Sequence, residues 1–433
     1  MGYLIRGARL ADPRTGQTDA CDILIEGDIF AQIALAGSID VAGHEVLEAD
    51  GLIALPGLID VHVHLREPGF SHKETIATGT QAAAAGGFTQ VCCMPNTSPV
   101  TDTPEVVRFI THEAKRHGFA TVHPIAAMTY GLKGEALTDF GALKKAGAVA
   151  FSDDGRGLQS AGMMKRALQL SREQGMPIAV HAEDETLSAG GHLHDGAVAH
   201  SLSIPGIPTE AETTMIARDI LLAQATGAHV HMCHVSPETA VAAIREGKRR
   251  GVRVTAEVTP HHLLLTEEEA LTKGAAAKVN PPLRAATDRR ACIEGFLDGT
   301  LDIVATDHAP HTPEEKARSI PEAPFGFTGI EISLPLMYTA FVQSGLLSIA
   351  ELAARMSWRP AQLFGLPGGF VAAGQSADLT LLDPSEVRKV EPDSFRSLGK
   401  TTPFAGRKLT GWPVATFYQG RLVYDRVYTQ GEV

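Results

Sequence analysis

The sequence predicts an α/β protein: a (β/α)8 barrel beside a small β-sandwich domain that the N- and C-terminal segments build together. Three observations lead there. Short apolar runs alternate with longer helix-like segments through the middle of the chain, both ends carry strand-like patterning, and polar residues collect where the middle runs stop. A chain of 433 residues exceeds one small core and suits a large domain with an addition.

Residues 1–55 read as β through "YLIRGARL", "DILIEGDIFAQIAL" and "EVLEADGLIAL", broken by Gly and Asp turn signals. From 56 to 360 the apolar runs are "LIDVHVH", "FTQVCCMPN", "TVHPIAAM", "AVAFSDD", "IAVHAED", "HVHMCHVS", "VRVTAEVTPHH" and "DIVATDHAPH". Helix-like segments at about 73–85, 103–117, 134–146, 159–174, 209–226, 236–250 and 286–299 lie between them. Strands each followed by a helix close into a parallel barrel. Residues 361–433 turn β again in "ADLTLLDP" and "VATFYQGRLVYD". Neither end has enough strands for a core alone, so the two are expected to pair. In "DTPEV" and "VSPET", Thr103 and Ser236 are expected to cap helices with Pro104 and Pro237 at the first helical position. That puts His234 at the end of its strand.

The bulk properties exclude several classes. A formal net charge of −12, with no Lys/Arg block long enough to track phosphates, argues against nucleic acid. The basic "GKRR" near residue 250 reads as the solvated end of a helix. No apolar stretch approaches the roughly 18 to 20 residues that span a bilayer, so no membrane partner is expected. "MGYLIRGARL" lacks a signal-peptide build, and Arg6 spoils a myristoylation match. Cys21, Cys92, Cys93, Cys233 and Cys292 lack CxxC spacing and read as buried thiols of a reducing cytoplasm.

In "GLIDVHVHLREPG", His62, His64 and Arg66 alternate with Val61, Val63 and Leu65, so a strand sends the polar three to one side. Other polar residues sit at the remaining run ends: Asn96, Asp153 and Asp154, His181, His234, His261 and His262, then Asp307, His308 and His311. Taken singly, such a His is ordinary hydrogen-bonded structure and a DD pair is a turn or cap. Their recurrence changes the reading, because burying several imidazoles and carboxylates together without a cation is costly. A nitrogen and oxygen donor set suits Zn, Mn or Co. Four His and two Asp exceed one tetrahedral ion. They point to two ions that share a bridging carboxylate and a bridging hydroxide, polarise a carbonyl and supply a nucleophile at neutral pH. Of His229, His231 and His234, the last is nearest the catalytic end, and His231 stays open. His192, His194 and His200 in "GGHLHDGAVAH" read as loop residues.

The stretches "DVHVHLREPG", "MPNTSP", "AFSDDG", "HAED", "CHVS", "EVTPHHL", "KVNPPLR", "ATDHAPH" and "PFGFTGIE" cover 60–331 in order and resemble class I dihydroorotase of the amidohydrolase superfamily. The resemblance implies that His62, His64 and Asp307 bind one metal ion, that His181 and His234 bind another, and that Asp154 bridges them. It implies two Zn2+ per subunit, with Asp307 carrying the catalytic proton. His64, Arg66, Asn96, Asn280, His311 and the backbone of Phe325 and Gly326 would contact substrate. The activity implied is dihydroorotase, a cytoplasmic step of pyrimidine synthesis. It interconverts N-carbamoyl-L-aspartate and L-dihydroorotate by attack of a hydroxide, shared by the two ions, on the cyclic amide. A homodimer is expected, and aspartate transcarbamoylase is a candidate partner. Two alternatives stand beside this reading. Hydantoinases and allantoinases carry a carbamylated Lys where this chain has Asp154. A catalytically silent scaffold for aspartate transcarbamoylase would lack metal ligands that are all present here. "PFGFTG" and "TPEEKARS" are the candidates for a loop that closes over substrate.

Overall fold

The computed structural model describes residues 2–428; Met1 and residues 429–433, the outermost parts of the two expected β segments, lie outside the described residues. Strands Gly2–Ala11, Thr18–Glu26, Ile29–Leu35, His44–Glu48 and Ile53–Pro56 join Leu379–Lys389, Lys408–Tyr418 and Arg421–Asp425 in one eight-stranded sheet. The seam between the chain ends is antiparallel, Ile53–Pro56 against Leu379–Leu382. Ile5, Ile23, Phe30, Leu379 and Phe417 are buried in a core separate from the barrel's, which is why neither terminal segment needs to stand alone.

The second sheet is parallel: β1 (Leu58–Val63), β2 (Phe88–Cys93), β3 (Thr121–Ala127), β4 (Ala150–Ser152), β5 (Ile178–Val180), β6 (Val230–Met232), β7 (Val254–Val258) and β8 (Ile303–Val304). It closes where Val63 bridges His308 and the His64 N–H donates to the His308 carbonyl at 2.8 Å. The outer layer includes α1 (Ile76–Ala85), α2 (Pro104–His117), α3 (Phe140–Ala146), α4 (Ala161–Gln174), α5 (Thr209–Thr226), α6 (Glu238–Arg249) and α7 (Ala286–Asp298). The helix α2 shows why these segments fold so. Val106, Val107, Ile110 and Ala114 form one buried stripe, Glu105 sits in the first turn, and Lys115 and Arg116 sit in the last. Gly118 then ends it in the left-handed conformation, at φ 65°. Lys248 and Arg249 likewise lie in the last turn of α6.

Several expectations are corrected. The alternation along β1 breaks at a register irregularity between Asp60 and Val63. Val61 therefore turns inward with Ile59, into a floor shared with Cys92, Ile125, Ala150, Ala179 and Ile303, while Val63 and Leu65 join the outer core. The helix expected from 134 begins at Phe140, because the Asp139 carboxylate caps it by accepting from the Ala142 N–H. Thr103 occupies the N-cap of α2 without a side-chain bond. Ser236 caps nothing: its hydroxyl donates to Glu212, Pro237 is the N-cap of α6, and the Glu238 N–H is satisfied by Asp288 at 2.9 Å. His194 and His200 are not in a loop, since Leu193–His194 pairs with Gly206–Ile207 and His200 lies in the helix Ala197–Leu202. All five cysteines are buried free thiols. Among the described residues no helix is long and apolar enough to cross a membrane.

Candidate active site

Polar side chains converge at the C-terminal ends of the strands, and His62, His64 and His181 are each oriented by a partner on the far side of the ring. His62, fully buried, sets Nδ1 2.6 Å from Glu257 Oε1, which leaves Nε2 facing Asp154 Oδ1 at 3.4 Å and Asp307 Oδ1 at 3.5 Å. His64 sets Nδ1 2.9 Å from Asn96 Oδ1, and its Nε2 lies 3.0 Å from Asp307 Oδ1 and 3.6 Å from Asp154 Oδ2. His181 is held through Nε2 by Glu183 at 3.0 Å, so Nδ1 faces Asp154 Oδ1 at 3.6 Å. His234 Nε2 lies 3.0 Å from that Nδ1 and 3.6 Å from Asp154 Oδ1.

These spacings fit divalent ions. Tetrahedral ligands with bonds of about 2.1 Å stand about 3.4 Å apart. Among the described residues His62 Nε2 and Asp154 Oδ1, both buried, have no hydrogen-bond partner, the state expected of groups whose partner is an ion. Two sets, His62 with His64 and Asp307 and His62 with Asp154 and His234, bring their ligand atoms within 4.8 Å of one another.

The electrostatics agree. Burial alone would raise the Asp154 carboxyl, but His62 and His234 outweigh it and hold it well below the usual carboxylate range. Asp307 is lowered in the same way, against burial, by His62 and His64. For His62 burial opposes the charged form, yet Glu257 and Asp154 raise its pKa well above that of a free imidazole. A set of anionic carboxylates this deep calls for positive charge among them.

Three of the converging residues have left-handed backbones: Arg66 at φ 62°, His234 at 33° and Asp307 at 48°. Such values are uncommon outside glycine and gather where function fixes a side chain's direction. Arg66 lies beyond the end of β1, so this turn, and not strand alternation, aims it.

A cavity of about 170 Å³ opens above the cluster, lined by His64, Arg66, Asn96, Asn280, His311, Phe325 and Gly326 together with Asp154, His181, His234 and Asp307. Arg66 Nε donates to the Pro310 carbonyl at 3.3 Å. His311 donates from Nε2 to the Phe325 carbonyl at 2.8 Å, while Lys73 lies 3.3 Å from its Nδ1 and pairs with Glu315 at 2.8 Å. Asn280 donates to Glu183 at 2.7 Å.

Other residues flagged by sequence have structural partners. Asp153 accepts from the Met128 and Thr129 amides at 2.8 and 3.0 Å. His262 bonds Thr259 and the Pro281 carbonyl at 2.9 and 3.0 Å, and His261 packs edge-on against Phe327. The His308 ring accepts from the Gly329 amide at 3.3 Å. His229 bonds Thr255 at 2.8 Å, and His192 lies 3.3 Å from the Lys278 ammonium. His231, left open, is turned to Glu257 and Thr255 at 3.0 and 2.9 Å.

Sequence reasoning missed Glu257, which bonds His62, His231 and the His234 amide, and Glu183, which bonds His181 and Asn280. A signal existed for Glu257: a carboxylate inside the apolar run "VTAEV", between fully buried Ala256 and Val258.

Residues 51–239 match the family model described as Dihydro-orotase-like. The dihydroorotase of Pelotomaculum thermopropionicum is 50% identical over 429 residues, 99% of this chain and 100% of that one. The dihydroorotase of Geobacillus kaustophilus is 48% identical over 413 residues, 95% and 96% of the two chains. Among solved structures, L-hydantoinase (dihydropyrimidinase) from Arthrobacter aurescens superposes with a TM-score of 0.87 at 29% identity, covering 98% of this chain and 96% of that one. D-hydantoinase (dihydropyrimidinase) from Thermus sp. gives 0.84 at 25% identity, covering 99% and 97%.

Proposed function

The chain belongs to the dihydroorotase family, and on that premise we propose how its amidohydrolase-type barrel interconverts N-carbamoyl-L-aspartate and L-dihydroorotate. His62, His64 and Asp307 would hold one divalent ion, His181 and His234 a second, with Asp154 shared and zinc our choice of metal. The observation that carries this is the convergence on Asp154, whose Oδ1 has His62, His181 and His234 nitrogens at 3.4 to 3.6 Å and, among the described residues, no hydrogen bond of its own. When bound, such ions polarise a carbonyl oxygen and make water a nucleophile at neutral pH.

The chain's own groups do the rest. Dihydroorotate carries a carboxylate beside a cyclic ureide, and the Arg66 guanidinium on the cavity wall can take that carboxylate through two parallel bonds. The Asn96 oxygen is engaged by His64, which leaves its NH2 as a second donor. Asn280, His311 and the Phe325–Gly326 backbone surround the ring. Asp307, whose carboxyl lies below the usual carboxylate range, is ionised at neutral pH and placed to accept a proton. In hydrolysis it takes a proton from the attacking water and returns it to the departing ring nitrogen; in cyclisation the same oxygen runs the transfer backwards.

The test is a two-way assay with carbamoyl-aspartate, dihydroorotate and a hydantoin, alongside metal analysis of the purified protein. Turnover of the first two with bound divalent metal is expected. Hydantoin turnover without dihydroorotate turnover would refute the reading.

A further inference from the structure

Two buried lysines outside the metal cluster point at one turn of the cavity wall. Lys278, between β7 and α7, is 2% exposed, and Lys316, at the end of the short helix Pro313–Lys316, is 6% exposed. Among the described residues neither ammonium forms an ion pair, although a buried unpaired charge is costly. Their partners are backbone oxygens. Lys278 Nζ donates to the Ala323 carbonyl at 2.6 Å and the Pro321 carbonyl at 3.2 Å, and lies 3.3 Å from His192 Nδ1. It also stands 4.4 Å from the centre of the Phe325 ring. Lys316 Nζ donates to the Pro324 carbonyl at 3.0 Å and reaches the Lys278 carbonyl at 3.5 Å. The Gly326 N–H donates to that same Lys278 carbonyl at 2.9 Å.

The turn depends on these bonds. Pro321 and Pro324 have no N–H, so the segment from 321 to 326 cannot build its own ladder, and its inward carbonyls need outside donors. Three acceptors around Lys278 match the three N–H bonds of an ammonium, one more than a neutral amine offers. The turn also has little room to shift toward β8, since a Cβ on Gly326 would stand 2.6 Å from the Ala309 Cβ.

We propose that Lys278 and Lys316 are positioning residues of the dihydroorotase reaction: they clamp the turn from 321 to 326 from behind, so that Phe325 and Gly326 present a fixed wall to the substrate ring. The inference rests on the reading of this cavity as the substrate site. A clamp acts on binding and leaves proton transfer by Asp307 alone.

The test uses the full metal-loaded chain with Lys278→Met and Lys316→Met, each a replacement that removes the donor and keeps apolar bulk. For Lys278→Met, KM for dihydroorotate is expected to rise about tenfold, as charge-assisted hydrogen bonds are lost. A kcat within about twofold and unchanged metal content are expected with it. Deuterium exchange at the Ala323, Phe325 and Gly326 amides should quicken in both variants. Lys316→Met supplies the same readouts if Lys278→Met fails to fold. Unaltered KM and exchange would overturn the clamp, and so would a fall in kcat with KM unmoved. Should the wild type turn over no dihydroorotate, the functional reading fails, while exchange still decides whether the lysines hold the turn.

Discussion

At the scale of single residues, variants of Asp307 and Glu257 would separate the proton transfer we propose from the orientation of a metal ligand. Replacing Asp307 with Asn removes the carboxylate we assign as proton acceptor. Turnover in both directions should fall by roughly 10² to 10⁴-fold or more, the usual worth of a general acid or base. Circular dichroism should show a folded barrel, and wild-type rates would remove Asp307 from the mechanism. Glu257→Gln acts one step further out. It leaves the metal-facing nitrogens in place but weakens the grip on His62 Nδ1 and His231 Nε2. Metal affinity, read by competition with a chelator, should drop about 10 to 100-fold. A Glu257 variant with unchanged affinity would make that bond merely structural. The sequence made the inner side chains legible because they sit at the ends of apolar runs in recurring types. Glu257 and Glu183 were hidden because a carboxylate that holds an imidazole from behind has no spacing rule of its own. Only folding brings β7 beside His62.

At the scale of elements, apolar runs located the barrel strands and most outer helices, since burial on both faces makes a parallel strand read as a continuous apolar run. What stayed illegible was side-chain direction. The irregularity beside Asp60 that turns Val61 inward, and the left-handed turn that aims Arg66, are backbone events without a residue signature. Ser236 looked like a cap and instead binds Glu212, a partner 24 positions away. The helix α5 holds a further buried acid. Asp219 is fully buried, Arg218 donates to its Oδ1 at 2.8 Å, and among the described residues its Oδ2 has no hydrogen-bond partner. Burial pushes its pKa up to about 6 against an ordinary 3.8. The folded pKa is the higher, so the stability Asp219 contributes is complete below about pH 4 and is lost as pH rises through about 6. Asp219→Asn should therefore be more stable than wild type at pH 7.5 by about 1 to 3 kcal/mol, with the gap closing toward pH 4.5. Urea unfolding at both values checks this, and a gap that widens on acidification would reverse the assignment.

At the scale of the whole molecule, the residues we assign to the metal ions come from β1, β4, β5, β6 and β8 and the turns after them, and meet at one end of the barrel. Removing metal should loosen that end, because Asp154 and Asp307 lose the charge that offsets them. Chelation is expected to abolish activity and lower the unfolding midpoint by about 5 °C or more, with zinc restoring both. Full activity and an unmoved midpoint in protein shown to be metal-free would end the metal reading. The two-ended sheet was legible in outline because each terminal segment had too few strands to finish a core. Its strand order was not, since pairing between residues more than three hundred positions apart leaves no local trace. That sheet also orders events during synthesis. Residues 2–56 leave the ribosome before the residues we assign to the metal, which end at Asp307, and those leave it before the partner strands at 379–425. The Ile53–Pro56 edge must therefore wait for its Leu379–Leu382 partner while the whole barrel is made. The metal-binding end of the barrel can close first, and a nascent chain that stalls after residue 360 would carry a complete ligand set beside an unfinished, sticky edge.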